Sequence, residues 1–391
     1  MKRYSNGFIL SSLVFTVFIT SIPSFLSGLL LIEIGDSFNV PIAVAAQMRT
    51  ASYVVSIVFA FLTGVLSLRY SSKFLIQIGV GAFIIAALGS STASDLGLLI
   101  FFFSFTGVGF GLATSMVYTL VAKFFQGEKR GRAIGWIIAG GSGSYLVGAI
   151  VVPLLQSIGG WRYVFQAYML PCSAVALVLV TVLIPNEVKA DRADSDSGVT
   201  HSYKRLVNNR SALYSLLGYL LAVAAWQTIL SYNSSFYREE YLISLDTASY
   251  TILLGAFLYT LGSLISGKIA YGIGLKKYSV STIIVSALGI MVYSYIPSFL
   301  GSVIVFAVTC LSMGLYDAAA TSLLTEQAPE KVSIMMSLSR VSVQQGNSIG
   351  AGLGGYFLLH LNYQSMFTLI GGLGIISAYF YYMTHTSTQA H

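Results

Sequence analysis

The feature that most constrains this chain is a series of long apolar stretches separated by short polar breaks. A membrane-spanning helix needs about 20 mainly apolar residues, and stretches of this length repeat along nearly the whole sequence. Only 9% of the residues are charged, whereas a soluble domain carries about 25%. Because so few charges cannot coat a soluble surface of this size, lipid must surround most of it. The sequence therefore predicts an all-α integral membrane protein.

Twelve stretches have the length and polarity of transmembrane helices. The predicted helices are 8–34, 43–68, 74–92, 97–122, 133–158, 161–185, 211–233, 247–273, 278–297, 299–325, 334–360 and 364–384. One long polar stretch, 186–210, follows the sixth helix. The sequence thus predicts an N-terminal six-helix bundle over 1–185, a cytoplasmic linker over 186–210 and a C-terminal six-helix bundle over 211–391.

The basic residues predict which side of the membrane each loop faces. With the N-terminus inside, seventeen of the 21 Lys and Arg residues lie in or beside cytoplasmic segments, and two, Arg162 and Arg238, lie outside. The remaining two, Arg49 and Arg340, lie within helices. Basic residues accumulate in the cytoplasmic loops of membrane proteins. We therefore expect a multi-pass protein of the plasma membrane with both termini in the cytoplasm. The net charge of +7 follows this topology, and no nucleic-acid partner is expected.

Three motifs of the first half resemble helices 4 to 6 of the major facilitator superfamily. They are Gly107-Val-Gly109-Phe-Gly111, Glu128-Lys-Arg130-Gly131-Arg132-Ala133 and Trp161-Arg162-Tyr-Val-Phe165. The two halves also align with a shift of 202 positions, which places Glu128 on Glu330 and Gly148 on Gly350. The resemblance implies two six-helix bundles that give alternating access to a site at mid-membrane.

The same resemblance predicts a cytoplasmic gate. The family's loop between helices 2 and 3 appears here with Leu68 in place of an aspartate and Ser71 in place of a glycine. Drug exporters of the family carry an arginine early in helix 4, where this chain has Phe103. These differences argue against a typical drug antiporter. The gate residues that the resemblance implies are Arg69, Lys73, Glu128, Arg130 and Arg132.

Asp317 is the acidic residue that the sequence places deep inside a membrane helix. A charge at mid-bilayer costs about 2.5–3.5 kcal/mol, so such a residue is expected to face a cavity or a partner. Helices 10 and 11 turn near Glu330, with Asp317 13 residues before it and Arg340 10 residues after it. At about 1.5 Å per residue the two lie at similar depth. The pair is either a device for proton or anion binding, or a static link between two helices.

The polar and aromatic residues of helices 1, 4, 7 and 10 are cavity candidates, because the resemblance implies that these helices line the cavity. Arg49, in helix 2, has two alternatives: it attracts anions, with Glu33 as a candidate partner, or it extends to the outer headgroups. For the uncharged candidates the alternative is hydrogen bonding between helices. The cavity candidates are Arg49, Thr20, Ser24, Tyr118, Trp226, Gln227, Asn233, Tyr316 and Gln344.

The expected function is secondary transport of a small organic solute, with proton-coupled export as the first hypothesis. The alternative is uptake or exchange of an organic anion through Arg49 and Arg340. The run from Gly350 to Gly355 matches a dinucleotide-binding pattern, but it lies in an apolar helix, where spaced glycines predict close helix packing. No enzyme motif, cofactor or metal site is predicted. The expected partners are the substrate, protons and lipid, with the protein as a monomer.

Overall fold

The computed structural model describes residues 6–67, 69–125, 127–185, 209–327 and 332–384, and these are almost entirely helical. Two compact units are distinguished: Met1–Lys189 with Ile243–Leu253, and Ala190–Leu242 with Leu254–His391. The helices are α1 (Asn6–Leu29), α2 (Leu31–Phe38), α3 (Ile42–Ala45), α4 (Gln47–Leu66), α5 (Ser72–Thr92), α6 (Leu96–Gly109), α7 (Ser115–Phe124), α8 (Gly127–Val164), α9 (Leu170–Leu183), α10 (Arg210–Glu240), α11 (Leu245–Ile273), α12 (Leu275–Val292), α13 (Phe299–Glu326), α14 (Val332–His360) and α15 (Tyr363–Met383). Two π-helical turns, Phe110–Thr114 and Phe165–Met169, join α6 to α7 and α8 to α9.

The transmembrane helices agree with the predicted count of twelve. Ten helices of the described ranges are long and apolar enough to cross a membrane. One of them, Ala139–Leu183, has 45 residues, which would extend roughly 68 Å, more than twice the thickness of a bilayer core. Gly160 interrupts it with a φ of 74°, between the predicted fifth and sixth spans. The more polar α14, with 29 residues, completes the set, so the all-α twelve-span fold is confirmed.

The predicted linker, 186–210, lies almost wholly outside the described residues. Asn209 and Arg210 are described, and they begin the described part of the second unit. The Asn209 side chain accepts a hydrogen bond from the backbone nitrogen of Ser211 at 3.0 Å and so caps α10. The boundaries of the two bundles and the linker stay a prediction.

Polar residues in the breaks act as N-caps, which fix where the helices begin. An N-cap side chain accepts a hydrogen bond from a backbone N–H of the first turn that has no partner inside the helix. Ser71 accepts from the nitrogen of Phe74 at 3.3 Å. Ser71 stands where the family's loop has a glycine, and its side chain supplies the N-cap at the start of α5. Asp95, Ser298 and Asn362 cap α6, α13 and α15 in the same way.

The Trp161-Arg162 motif joins three segments of the first unit. The indole nitrogen of Trp161 donates to Ser37 Oγ at 2.8 Å, and Arg162 Nη2 donates to the carbonyl of Ala93 at 3.1 Å. The Arg162 guanidinium also lies 4.4 Å from the centre of the Trp161 ring, a cation–π contact. The motif therefore holds α2 and the end of α5 against the start of the sixth span.

Gly160 lets the chain turn between the fifth and sixth spans. Its φ of 74° and ψ of −179° lie in a region that is essentially restricted to glycine and costs other residues about 1–3 kcal/mol. A Cβ at this position would meet no atom within 4 Å. The penalty for a side chain there comes from the backbone alone.

We expect Gly160→Ala to lower the stability of the purified protein by about 1–3 kcal/mol because of this backbone strain. Gly81→Ala is the matched control, since Gly81 is helical and also has open space around its Cβ position. Thermal unfolding in detergent measures both variants. Equal melting temperatures for the two would contradict the prediction.

The run Gly350–Gly355 lies within the continuous helix α14, as expected for a packing motif. A Cβ on Gly350 would lie 2.2 Å from the carbonyl oxygen of Ala224 on α10. The absence of a side chain therefore allows α10 and α14 to pack backbone to backbone. No strand precedes the run among the described residues, so it lacks the strand–turn–helix setting of a dinucleotide site.

Candidate functional site

Asp317 on α13 lies at the centre of a hydrogen-bonded cluster in the second unit. Its Oδ1 accepts a hydrogen bond from the hydroxyl of Tyr219 on α10 at 2.6 Å. Its Oδ2 accepts one from the hydroxyl of Tyr259 on α11 at 2.7 Å. Both distances are in or close to the range of charge-assisted hydrogen bonds between a hydroxyl and a carboxylate. The Asp317 cluster, defined as these three residues, therefore connects three helices.

Aromatic rings surround the Asp317 cluster. The Trp226 ring stacks on Tyr259 with centroids 5.5 Å apart and planes 13° apart. Tyr316 is fully buried, with its centroid 6.5 Å from that of Tyr219. Trp226 and Tyr316 were predicted as cavity residues, and the structure brings both to Asp317.

Arg340 lies near the cluster, as the depth argument predicts. Its side chain on α14 is exposed, and its charge acts on the hydroxyl groups of both Tyr219 and Tyr259. A direct pairing of Arg340 with Asp317 stays a prediction. Gln344, one turn further along α14, accepts a hydrogen bond from Asn347 Nδ2 at 3.0 Å.

The chemistry of the Asp317 cluster makes it sensitive to a single proton. An ionised carboxylate only accepts hydrogen bonds, whereas a protonated one carries a donor on one oxygen. In the structure each oxygen already receives a phenolic donor. Each oxygen has a second lone pair, so a proton can be added without displacing either hydroxyl, but it removes the negative charge and so weakens both charge-assisted hydrogen bonds that join α13 to α10 and α11.

A second group of residues surrounds Arg49 in the first unit. Arg49 is 1% exposed, and its three guanidinium nitrogens have no hydrogen-bond partner among the described residues. The guanidinium therefore does not reach the surface of this unit. Glu33 also gives it no hydrogen bond. Arg49 lines a cavity of about 160 Å³, whose other lining residues are Pro23, Ser24, Ser27, Ser52, Tyr53, Phe103, Thr106 and Phe110.

The hydroxyl groups of this cavity already have partners. Ser24 Oγ lies 3.2 Å from the Tyr53 hydroxyl, and Ser52 Oγ lies 2.6 Å from Thr106 Oγ1. Ser27 donates to the carbonyl of Pro23 at 2.7 Å. Within the described ranges, the guanidinium of Arg49 is therefore the polar group of this cavity that makes no hydrogen bond.

The other predicted cavity residues have mixed environments. Thr20 is buried and donates to the carbonyl of Val17 in its own helix at 2.8 Å, and Gln227 donates to Ser231 Oγ at 3.3 Å. Both hydrogen bonds lie within one helix, so neither joins two helices. Asn233 is buried, and neither amide atom of its side chain has a hydrogen-bond partner among the described residues. Tyr118 is half-buried.

The predicted gate residues are only partly described. Lys73 Nζ donates to the carbonyl of Thr181 at 2.8 Å, near the end of α9. Carbonyls in the last turn of a helix have no partner inside the helix and attract cations, so Lys73 joins α5 to the end of the sixth span. Arg69 is exposed. The side chains of Glu128, Arg130 and Arg132, at the start of α8, lie outside the part that the structure describes, as does Leu68.

Sequence reasoning missed Tyr219 and Tyr259, the two partners of Asp317. The chain has 25 tyrosines, so residue type alone cannot select these two. Tyr259 belongs to the eighth span, which the resemblance does not assign to the cavity. One signal was present for Tyr219, because it lies seven residues before Trp226 and so shares its face of the helix.

Comparison with known proteins gives consistent matches over nearly the full length. The family model described as Major Facilitator Superfamily matches residues 13–232 and 215–391. The uncharacterized MFS-type transporter YceJ of Bacillus subtilis is 20% identical over 87% of this chain and 86% of its own. Two solved structures share the fold. A D-xylose-proton symporter matches with a TM-score of 0.79 and 14% identity, covering 98% of this chain and 99% of its own. The nucleoside transporter NupG matches with a TM-score of 0.77 and 14% identity, covering 97% of this chain and 100% of its own.

Proposed function

Because the chain belongs to the major facilitator superfamily, we propose that it is a secondary transporter, not an enzyme, and that it couples movement of a small organic solute to protons. The observation that carries the coupling is the Asp317 cluster, in which one carboxylate receives two phenolic hydrogen bonds from two other helices. The fold shared with a D-xylose-proton symporter is compatible with coupling of this kind.

The mechanism follows from the contacts of the carboxylate. In the ionised state Asp317 holds α10 and α11 against α13 through Tyr219 and Tyr259. Protonation removes the negative charge and weakens both hydrogen bonds, and with them the contacts of α13 with α10 and α11. Binding and release of a proton then change the relative stability of two conformations of this unit, which is what alternating access requires.

Export is the proposed direction, from a monomer in the plasma membrane with both termini in the cytoplasm. The test uses the purified protein in liposomes that contain a pH-sensitive dye. Organic acids, sugars and cationic compounds are added in turn under opposite pH gradients. We expect at least one solute to move protons across the membrane only when the protein is present. Solute movement without any proton flux would contradict the coupling.

A second candidate function is uptake or exchange of an organic anion, with Arg49 and Arg340 as counter-charges. The guanidinium of Arg49 favours it, because it is buried and has no hydrogen-bond partner among the described residues. Arg49→Gln and Arg340→Gln distinguish the two candidates. An anion carrier loses binding in these variants, whereas an exporter of neutral or cationic compounds retains it.

A further inference from the structure

Two tyrosines beside the Asp317 cluster carry hydroxyl groups that the packing of the helices does not satisfy. Tyr316 on α13 and Tyr381 on α15 are both fully buried, and neither hydroxyl has a hydrogen-bond partner among the described residues. A buried hydroxyl that makes no hydrogen bond costs about 1–3 kcal/mol. Phenylalanine would fill the same space without this cost, so packing alone does not account for the two hydroxyl groups.

The two hydroxyl groups lie next to the Asp317 cluster. The ring of Tyr381 lies edge-on to that of Tyr316 with centroids 5.7 Å apart, and their hydroxyls are close enough to act on each other. The centroid of Tyr316 lies 6.5 Å from that of Tyr219, whose hydroxyl donates to Asp317 at 2.6 Å. The charge of Asp317 acts on Tyr316 and Tyr381 as well. Three phenolic hydroxyls therefore lead from the carboxylate to α15.

This row of hydroxyls leads toward one end of the second unit. Ser211, at the start of α10, donates to Gln327, directly after α13, so these two helix ends lie together. Tyr381 is two residues from the end of α15 at Met383, and its ring lies against Gly218 in the first part of α10. In the orientation proposed above, this end of the unit faces the cytoplasm.

We propose that Tyr219, Tyr316 and Tyr381 relay protons between Asp317 and the end of the unit at which α10 begins. The relay rests on the proton coupling proposed above, and it adds the route by which a proton reaches the carboxylate. A hydroxyl donates one proton and accepts through its oxygen. Tyr219 therefore gives its proton to Asp317 as it accepts one from the next group in the row, and each tyrosine ends neutral, as it began.

A bound water completes the row where two hydroxyls lie too far apart for a direct hydrogen bond. Buried waters typically make about three hydrogen bonds to buried polar groups that have no other partner. Such a water accepts and donates a proton in the same way as a hydroxyl group. The hydroxyls of Tyr316 and Tyr381 are the groups that would hold it.

The test compares the full-length wild type with Tyr316→Phe and Tyr381→Phe in liposomes that contain a pH-sensitive dye. The solute is whichever of the organic acids, sugars or cationic compounds moves protons in the wild type. Phenylalanine keeps each ring and its packing but removes the hydroxyl. We expect proton flux to slow about 100-fold in each variant, the lower end of the contribution of a positioned proton donor or acceptor. Exchange of labelled solute and the melting temperature in detergent are expected to stay those of the wild type.

The double variant tests whether the two hydroxyls belong to one route. Because steps in series share one path, Tyr316→Phe combined with Tyr381→Phe is expected to be no slower than the slower single variant. Losses that multiply in the double variant would overturn a single relay through both residues.

Tyr293→Phe is the matched control. Tyr293 is also fully buried, with a hydroxyl that has no hydrogen-bond partner among the described residues, but it packs against Phe236 and Tyr237 near the opposite end of α10. It is expected to keep the proton flux of the wild type.

The outcomes separate the relay from the coupling on which it rests. Full proton flux in Tyr316→Phe and Tyr381→Phe would overturn the relay and leave the coupling in place. Equal losses of proton flux, solute exchange and melting temperature would indicate a packing role and also overturn the relay. A wild type that moves no protons with any solute would contradict the coupling, and the relay with it.

Discussion

Asp317→Asn is expected to abolish substrate-dependent proton movement in liposomes while leaving the protein folded. Asparagine has nearly the same shape as aspartate, but it does not ionise and offers one acceptor oxygen in place of two. One tyrosine hydroxyl can therefore no longer donate to this side chain, and no proton can be taken up. The proton flux should fall to that of protein-free liposomes. Exchange of labelled solute across the same membrane should persist, because exchange needs no net proton transfer.

Two controls separate proton coupling from a structural role. Tyr219→Phe removes one donor but keeps the carboxylate and the hydrogen bond from Tyr259, so the proton flux is expected to slow without disappearing. Asp246→Asn changes an acidic residue in the first turn of α11, and it should behave as the wild type. Full proton flux in Asp317→Asn would reduce the Asp317 cluster to a link between helices.

Gly314→Ala is expected to impair both stability and coupling. Gly314 lies one turn before Asp317 on α13, and a Cβ there would lie 2.0 Å from the carbonyl oxygen of Tyr259. A backbone oxygen cannot move away by changing rotamer, so α11 and α13 must separate. Such overpacking costs about 1–3 kcal/mol or more. The same separation lengthens the hydrogen bond from Tyr259 to Asp317, now 2.7 Å, and should slow proton flux.

The matched control is Gly372→Ala on α15, where a Cβ would meet no atom within 4 Å. It is expected to leave the melting temperature and the proton flux close to those of the wild type. If Gly314→Ala and Gly372→Ala have the same melting temperature, the close approach of α11 and α13 does not stabilise this unit. If Gly314→Ala lowers only the melting temperature, the Tyr259 hydrogen bond is not needed for coupling.

The order and lengths of the spans could be predicted from sequence because lipid leaves the backbone few choices. In the bilayer core every backbone polar group must be paired inside the chain, so an apolar stretch of sufficient length becomes a helix. The breaks between the helices could also be predicted, from their polarity. In the structure Ser71, Asp95 and Asn362 cap the helices that follow them. The depth of Asp317 followed from counting residues from the turn near Glu330.

The partners of the two charged residues were decided by tertiary structure. Tyr219 and Tyr259 lie 98 and 58 residues from Asp317 in sequence. Arg49 was expected either to attract anions, with Glu33 as a candidate partner, or to extend to the outer headgroups. The position of a residue along its apolar stretch sets its depth in the membrane but leaves the rotation of each helix about its axis undetermined. That rotation is set by side-chain packing and by close contacts such as Gly314 against Tyr259. Sequence alone therefore determined which charges lie in the membrane, and only the packing of the helices decided which groups surround them.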